Sequence, residues 1–144
     1  MDEETFQRIV GEEWDAVPAP YRERIQNVAL LVEDEPNEEV RRLEGLEGTE
    51  TLLGIYQGVP LSERGEGYGI GEVLPDTITV YRLPTLLEAE DIRLETRVDR
   101  LEFADIVRSV VRDTIWHEIG HYFGHGEEAI MHREEEGKNT YPVV

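Results

Sequence analysis

Trp116-His117-Glu118-Ile119-Gly120-His121-Tyr122-Phe123-Gly124-His125-Gly126-Glu127-Glu128 closes a long apolar-striped segment of this 144-residue chain. Upstream of it Phe103, Ile106, Val107, Val110 and Thr114 lead to His117 and His121 at helical spacing, and Val111, Ile115, Trp116 and Ile119 widen the apolar surface. A helix apolar on most sides is a buried one. The spacing therefore predicts one buried helix that opens at the capping pattern Thr96-x-x-Asp99 and runs to about Phe123. Residues four apart on a helix share a face, with Cβ atoms about 5–6 Å apart. His117 and His121 can thus point at one ion, and imidazole nitrogens suit zinc at about 2.0–2.1 Å. Glu118 is offset by about 100° around the helix, which sets a carboxylate beside the metal as a general base and not as a ligand. Two stacked histidines with an intervening glutamate would cost considerable desolvation as idle packing.

A catalytic zinc needs a third protein ligand and an open position. On a continued helix His125 would lie about 12 Å along the axis from His117, too far to share the ion. Gly124 accepts the left-handed conformation that ends a helix and turns the chain, so a residue three further on can swing back. That residue is Glu127, and Glu128 is its neighbouring alternative. An acidic cap on a last short helix, Glu127 to Glu135, is the other reading of Glu127. Gly120 in mid-helix costs up to about 1 kcal/mol relative to Ala, which close approach of the sheet, of substrate or of packing neighbours would explain.

Working outward, Phe6, Ile9, Val10 and Trp14 predict an amphipathic helix over Glu3 to Trp14, ended by Val17-Pro18-Ala19-Pro20. A helical turn is expected around Tyr21 to Gln26. The run Val28-Ala29-Leu30-Leu31-Val32 predicts a strand buried on both faces, and Asn37 caps a short helix through about Leu43. Leu52 to Tyr56 predicts a second strand, and Gly58 to Gly71 a long connection. Asp76 to Arg82 alternates at a two-residue period, which predicts a half-buried strand at a sheet edge. Pro84 stops it, and Thr85-x-x-Glu88 is expected to open a short helix. Tyr81 and Arg82 at the strand's end read either as ordinary surface or, in a hydrolytic site, as groups that steady an oxyanion.

Fourteen basic against 33 acidic residues give a net charge of −19. Such a chain has no basic face with which to displace phosphate counterions, so nucleic acid and anionic membranes are disfavoured as partners. The absence of cysteine excludes disulfides and thiolate metal sites. No apolar run of about 18 residues is present, and the acidic start is unlike a signal peptide, so a cytoplasmic location is expected. The length fits one domain over 1–144, with a loose tail from about 137, burying roughly two thirds of its unfolded surface.

The pattern His-Glu-x-x-His-x-x-Gly-x-x-Glu resembles the elongated motif of the zincin metallopeptidases. Taken with Val32 to Pro36, Leu53 to Leu61 and Ile78 to Arg82, the chain is similar to the small bacterial mini-zincin family. The resemblance implies an α+β, minimal zincin-like fold in which a small mixed sheet packs on a long active-site helix. It implies one Zn2+ per chain held by His117 and His121, with Glu118 as general base, and hydrolysis of peptide bonds through a zinc-activated water. Members most often carry Asp where Glu127 stands; the larger metzincins use a third His and a later Met-turn, and this chain has neither. The expected partner is a peptide or an unfolded protein segment, with the strand Ile78–Arg82 as the edge on which it adds. The alternative from a different class is a zinc-binding zincin-like domain without proteolysis, acting in protein interaction or regulation.

Overall fold

The structure is a computed structural model that describes residues 1–65, 74–96 and 102–124. Helix α1 (Glu3–Asp15) starts where the Asp2 carboxylate accepts the Thr5 N–H at 2.8 Å, and it buries Phe6, Ile9 and Val10. The short helix α2 (Ala19–Arg22) follows Pro18, whose fixed φ suits a helix start. Strand β1 (Val28–Glu33) leads to α3 (Glu38–Leu43), capped by the Asn37 side chain accepting from the Val40 N–H. Strand β2 (Gly54–Gln57), a 3-10 turn at Leu61–Glu63, strand β3 (Asp76–Tyr81), α4 (Arg82–Thr96) and α5 (Phe103–Tyr122) complete the described elements.

Among the described residues the sheet has the order β1-β3-β2, with β1 and β2 as its edge strands. β1 runs parallel to β3, from Val28 opposite Asp76 to Glu33 opposite Tyr81, and β2 runs antiparallel, from Gly54 opposite Val80 to Gln57 opposite Thr77. This corrects the strand positions expected above. β3 is the central strand and not an edge. Both of its faces are covered: Ile78 and Val80 point into the main core, and Tyr81 packs with Val40 and Ile55 on the other side. β1 is itself an edge strand, and its Leu31 is exposed, so its apolar run is not buried on both faces. A short apolar run looks the same whichever edge the topology gives it.

Two helix starts also differ. β3 passes directly into α4 at Arg82, with Pro84 and Thr85 inside the first turn, where a missing N–H is tolerated. Thr85 donates its hydroxyl to the Tyr81 carbonyl at 2.6 Å. Thr96 is the last residue of α4 and bonds back to the Ile92 carbonyl, so it opens nothing; α5 begins at Phe103. A hydroxyl that can cap a helix start can also bond back along one, and sequence alone does not separate the two.

α5 carries the core. Val107, Val111, Ile115, Ile119 and Tyr122 are each essentially buried, and each apolar side chain of this size contributes about 1.5–3 kcal/mol when covered. α1, α4, β2 and β3 supply that cover. The salt bridge from Arg112 to the buried Glu13 at 2.9 Å ties α5 to α1. Gly54 is required where β2 meets α5. A Cβ there would stand 2.7 Å from Thr114 Cγ2 and 2.8 Å from the Thr79 carbonyl oxygen.

Burial, reinforced by the charges of Glu33, Glu118 and Glu44, pushes the Tyr81 hydroxyl up to about 12. A raised folded-state pKa means stability is fully present below the unfolded value near 10 and is lost as pH rises towards 12. Replacing Tyr81 by Phe removes that contribution. Denaturant titration should then show a loss of stability between pH 8 and pH 11 that is smaller for Tyr81→Phe than for wild type by about 1 kcal/mol.

Candidate active site

The last two turns of α5 bring three of the expected residues to one place. His117 and His121 lie one turn apart with ring centroids 5.2 Å apart, both half-buried. Glu118 is 6 % exposed and turned towards β2, where its Oε1 accepts the Tyr56 N–H at 3.0 Å. The helix ends with Phe123 and Gly124 N–H groups bonded to the Ile119 and His121 carbonyls, and Gly124 takes φ +91° as its turning role requires. Glu127, Glu128 and His125 lie outside the described residues.

A cleft of about 750 Å3 opens in front of both histidines, bounded by Tyr56 on β2, by Gly58, Pro60 and Ser62 on the loop beyond it, and by Glu118 and Gly124. Across the bare backbone of Gly54 it meets a second hollow of about 510 Å3, lined by Leu52, Ile92, Val110 and Thr114 with Glu88 and Asp113. His117 and Glu118 border both. Together they form a groove along β2, and each hollow by itself falls within the range of about 300–1,000 Å3 usual for small-molecule sites.

The direction of β2's hydrogen bonds follows from its register. The Tyr81 N–H donates to the Leu53 carbonyl at 2.9 Å. Bonded pairs recur every second residue in an antiparallel ladder, so Ile55 and Gln57 face β3 while Gly54 and Tyr56 turn their backbone groups outward over the groove. The Tyr56 N–H on Glu118 agrees with this.

Neither proposed oxyanion partner reaches the groove. Tyr81 is 1 % exposed in the cluster with Val40 and Ile55, and Arg82 binds Asp34 at 2.8 Å and the Met1 carbonyl at 2.9 Å. Sequence reasoning missed Tyr56, Gly54 and Ser62. Tyr56 and Gly54 act through their backbone, which leaves no residue-type signal. Ser62 matters because it abuts Gly124, so that any Cβ at position 124 would overlap its hydroxyl.

The donor set fits a divalent ion of zinc's kind as far as it is described. Two imidazoles share one face and one cleft, with a carboxylate held back from them by a backbone donor. Among the described residues, no group of three His, Cys, Asp or Glu side chains is placed to hold a metal.

Comparison with known proteins bears on this arrangement. A family model described as zincin-like metallopeptidase matches residues 25–137. No curated protein matches. Among solved structures the chain is similar to a conserved hypothetical protein from Thermo thermophilus, with 23% identity, 92% of this chain and 99% of that chain covered, and a TM-score of 0.47.

Gly124→Ala should lower stability by about 1–3 kcal/mol, because an L residue is strained at positive φ and its methyl overlaps Ser62. Urea unfolding checks this. The double variant Gly124→Ala/Ser62→Gly should recover the overlap part and leave the backbone part.

Proposed function

This chain belongs to the zincin-like metallopeptidase family, and from that premise we propose that it is a zinc-dependent peptidase acting on peptides or unfolded protein segments. The observation that carries the proposal is the pair His117 and His121 on the wall of a groove, beside a buried Glu118. His117 and His121 would hold the ion together with Glu127 from the segment after Gly124. When bound, zinc supplies Lewis-acid polarisation of the scissile carbonyl and lowers the pKa of water towards about 7.

Glu118 is the group that moves the proton. Its carboxylate takes one from the attacking water and returns it to the leaving amine. The Tyr56 N–H holds Oε1, which fixes the carboxylate's orientation at a site shielded from solvent. An extended peptide would lie along β2, pairing with the outward backbone of Gly54, a mode in which main-chain bonds give affinity and alternate side chains give selectivity. The edge strand in this role is β2, in place of the 78–82 segment. Glu44 and Glu63 on one side and Glu88 and Asp113 on the other line the groove, so cationic peptides are favoured over anionic ones.

A zinc-binding domain without proteolysis shares the histidine pair, and turnover separates it from the peptidase. Glu118→Gln should retain the zinc content of wild type while cleavage of a diverse peptide library falls by about 10²–10⁴-fold. Glu127→Ala, in the same preparation, should bind zinc more weakly. Wild-type protein that binds zinc but cleaves no member of the library would favour the non-proteolytic reading.

A further inference from the structure

Behind the groove lies a buried polar network that the proton transfer does not itself use. Asp76 is 3 % exposed, and its Oδ2 accepts from Arg64 Nη2 at 2.6 Å; the Arg64 side chain is 6 % exposed. Oδ2 also accepts the Tyr56 hydroxyl, and Oδ1 accepts the Val59 N–H at 3.1 Å. Arg64 also donates to the Val59 carbonyl and the Gln26 carbonyl, both at 2.9 Å, and to the Tyr122 hydroxyl at 3.4 Å, and its guanidinium sits 5.0 Å from the Tyr122 ring centroid. Tyr122 in turn follows His121 directly, donates to the Arg24 carbonyl and accepts the Gln26 N–H. Gly58 lies so close to Asp76 that any Cβ would overlap the carboxyl group.

Burying an ion pair costs several kcal/mol per ion in desolvation, and packed apolar residues of similar volume are often as stable or more so. Stability alone is therefore a weak reason for this pair. Its connections supply another. Tyr56 is held at both ends: its N–H donates to Glu118 Oε1, and its hydroxyl donates to Asp76. Burial first, then the Asp76 bond and charge, push the Tyr56 hydroxyl well above its usual value, so it stays a donor throughout the working pH range.

We propose that Asp76 and Arg64 are positioning residues that act through Tyr56, fixing the outward N–H of β2 on Glu118 and, through Val59, the loop wall of the groove. For its catalytic consequence this rests on the peptidase reading; the geometric claim does not. A displaced edge strand would leave the proton-accepting carboxylate misaligned with zinc still bound.

The test uses the full chain loaded with zinc. Tyr56→Phe removes one hydroxyl and keeps the ring and the N–H, and Asp76→Asn keeps the shape of the carboxyl while removing its charge. In each variant, amide hydrogen exchange at position 56 should accelerate about tenfold, while the ladder amides of Ile55 and Thr79 keep wild-type rates. On a peptide that wild type cleaves, kcat should fall about tenfold with KM within about twofold and zinc content unchanged. Unchanged exchange at position 56 in Tyr56→Phe overturns the proposal, as does a loss of zinc or a uniform rise in exchange across the sheet, either of which marks a merely structural role. If wild type cleaves nothing, the peptidase reading fails, and the exchange rates alone still decide the positioning claim.

Discussion

Burial of α5 is the constraint on which the rest of the structure depends. A helix with apolar side chains on most of its circumference must be covered on most sides, and α1, α4, β2 and β3 are arranged to do so. Its final turns carry polar side chains into the same packed surroundings. His117 and His121 stay half-buried because the groove along β2 opens in front of them, while Glu118 turns inward against the sheet edge. A buried carboxylate needs donors, and a backbone N–H of the edge strand supplies one. The requirement that covers the core also orients the group that would move the proton.

Two close approaches make this possible, and both depend on glycine. At Gly54 the edge strand lies against Thr114 and joins the two hollows into one groove. At Gly124 the chain turns out of the helix at positive φ, hard against Ser62. The first sets the depth of the groove beside the histidines. The second ends α5 directly after the turn that carries His121.

Much of this was legible in the sequence, and the limits have physical causes. The α+β class, the long helix, the Asn37 cap and the turn at Gly124 each rest on local signals of periodicity or backbone conformation. His117, Glu118 and His121 came together because helical spacing alone settles their relation. The strand order did not follow. Alternating Ile78 and Val80 reads as a half-buried strand only if the other face is wet, and α3 covers that face with Val40, while the place of β3 between β1 and β2 rests on long-range pairing that no local pattern encodes. Thr85 and Thr96 mimic capping patterns but bond back to carbonyls four residues earlier. The Tyr56 contact is a main-chain bond across 62 residues of sequence, and the Asp76–Arg64 pair joins an ordinary loop arginine to the first residue of β3. Both need the fold before they have meaning.

The central claim is that α5 presents a zinc site built on its two histidines. Metal analysis of the purified chain after equilibration with zinc tests it most directly, with the double variant His117→Ala/His121→Ala alongside. One zinc per chain is predicted for wild type and none for the variant, with both remaining folded. Wild-type protein that binds no zinc, or a variant that binds as much as wild type, would contradict it.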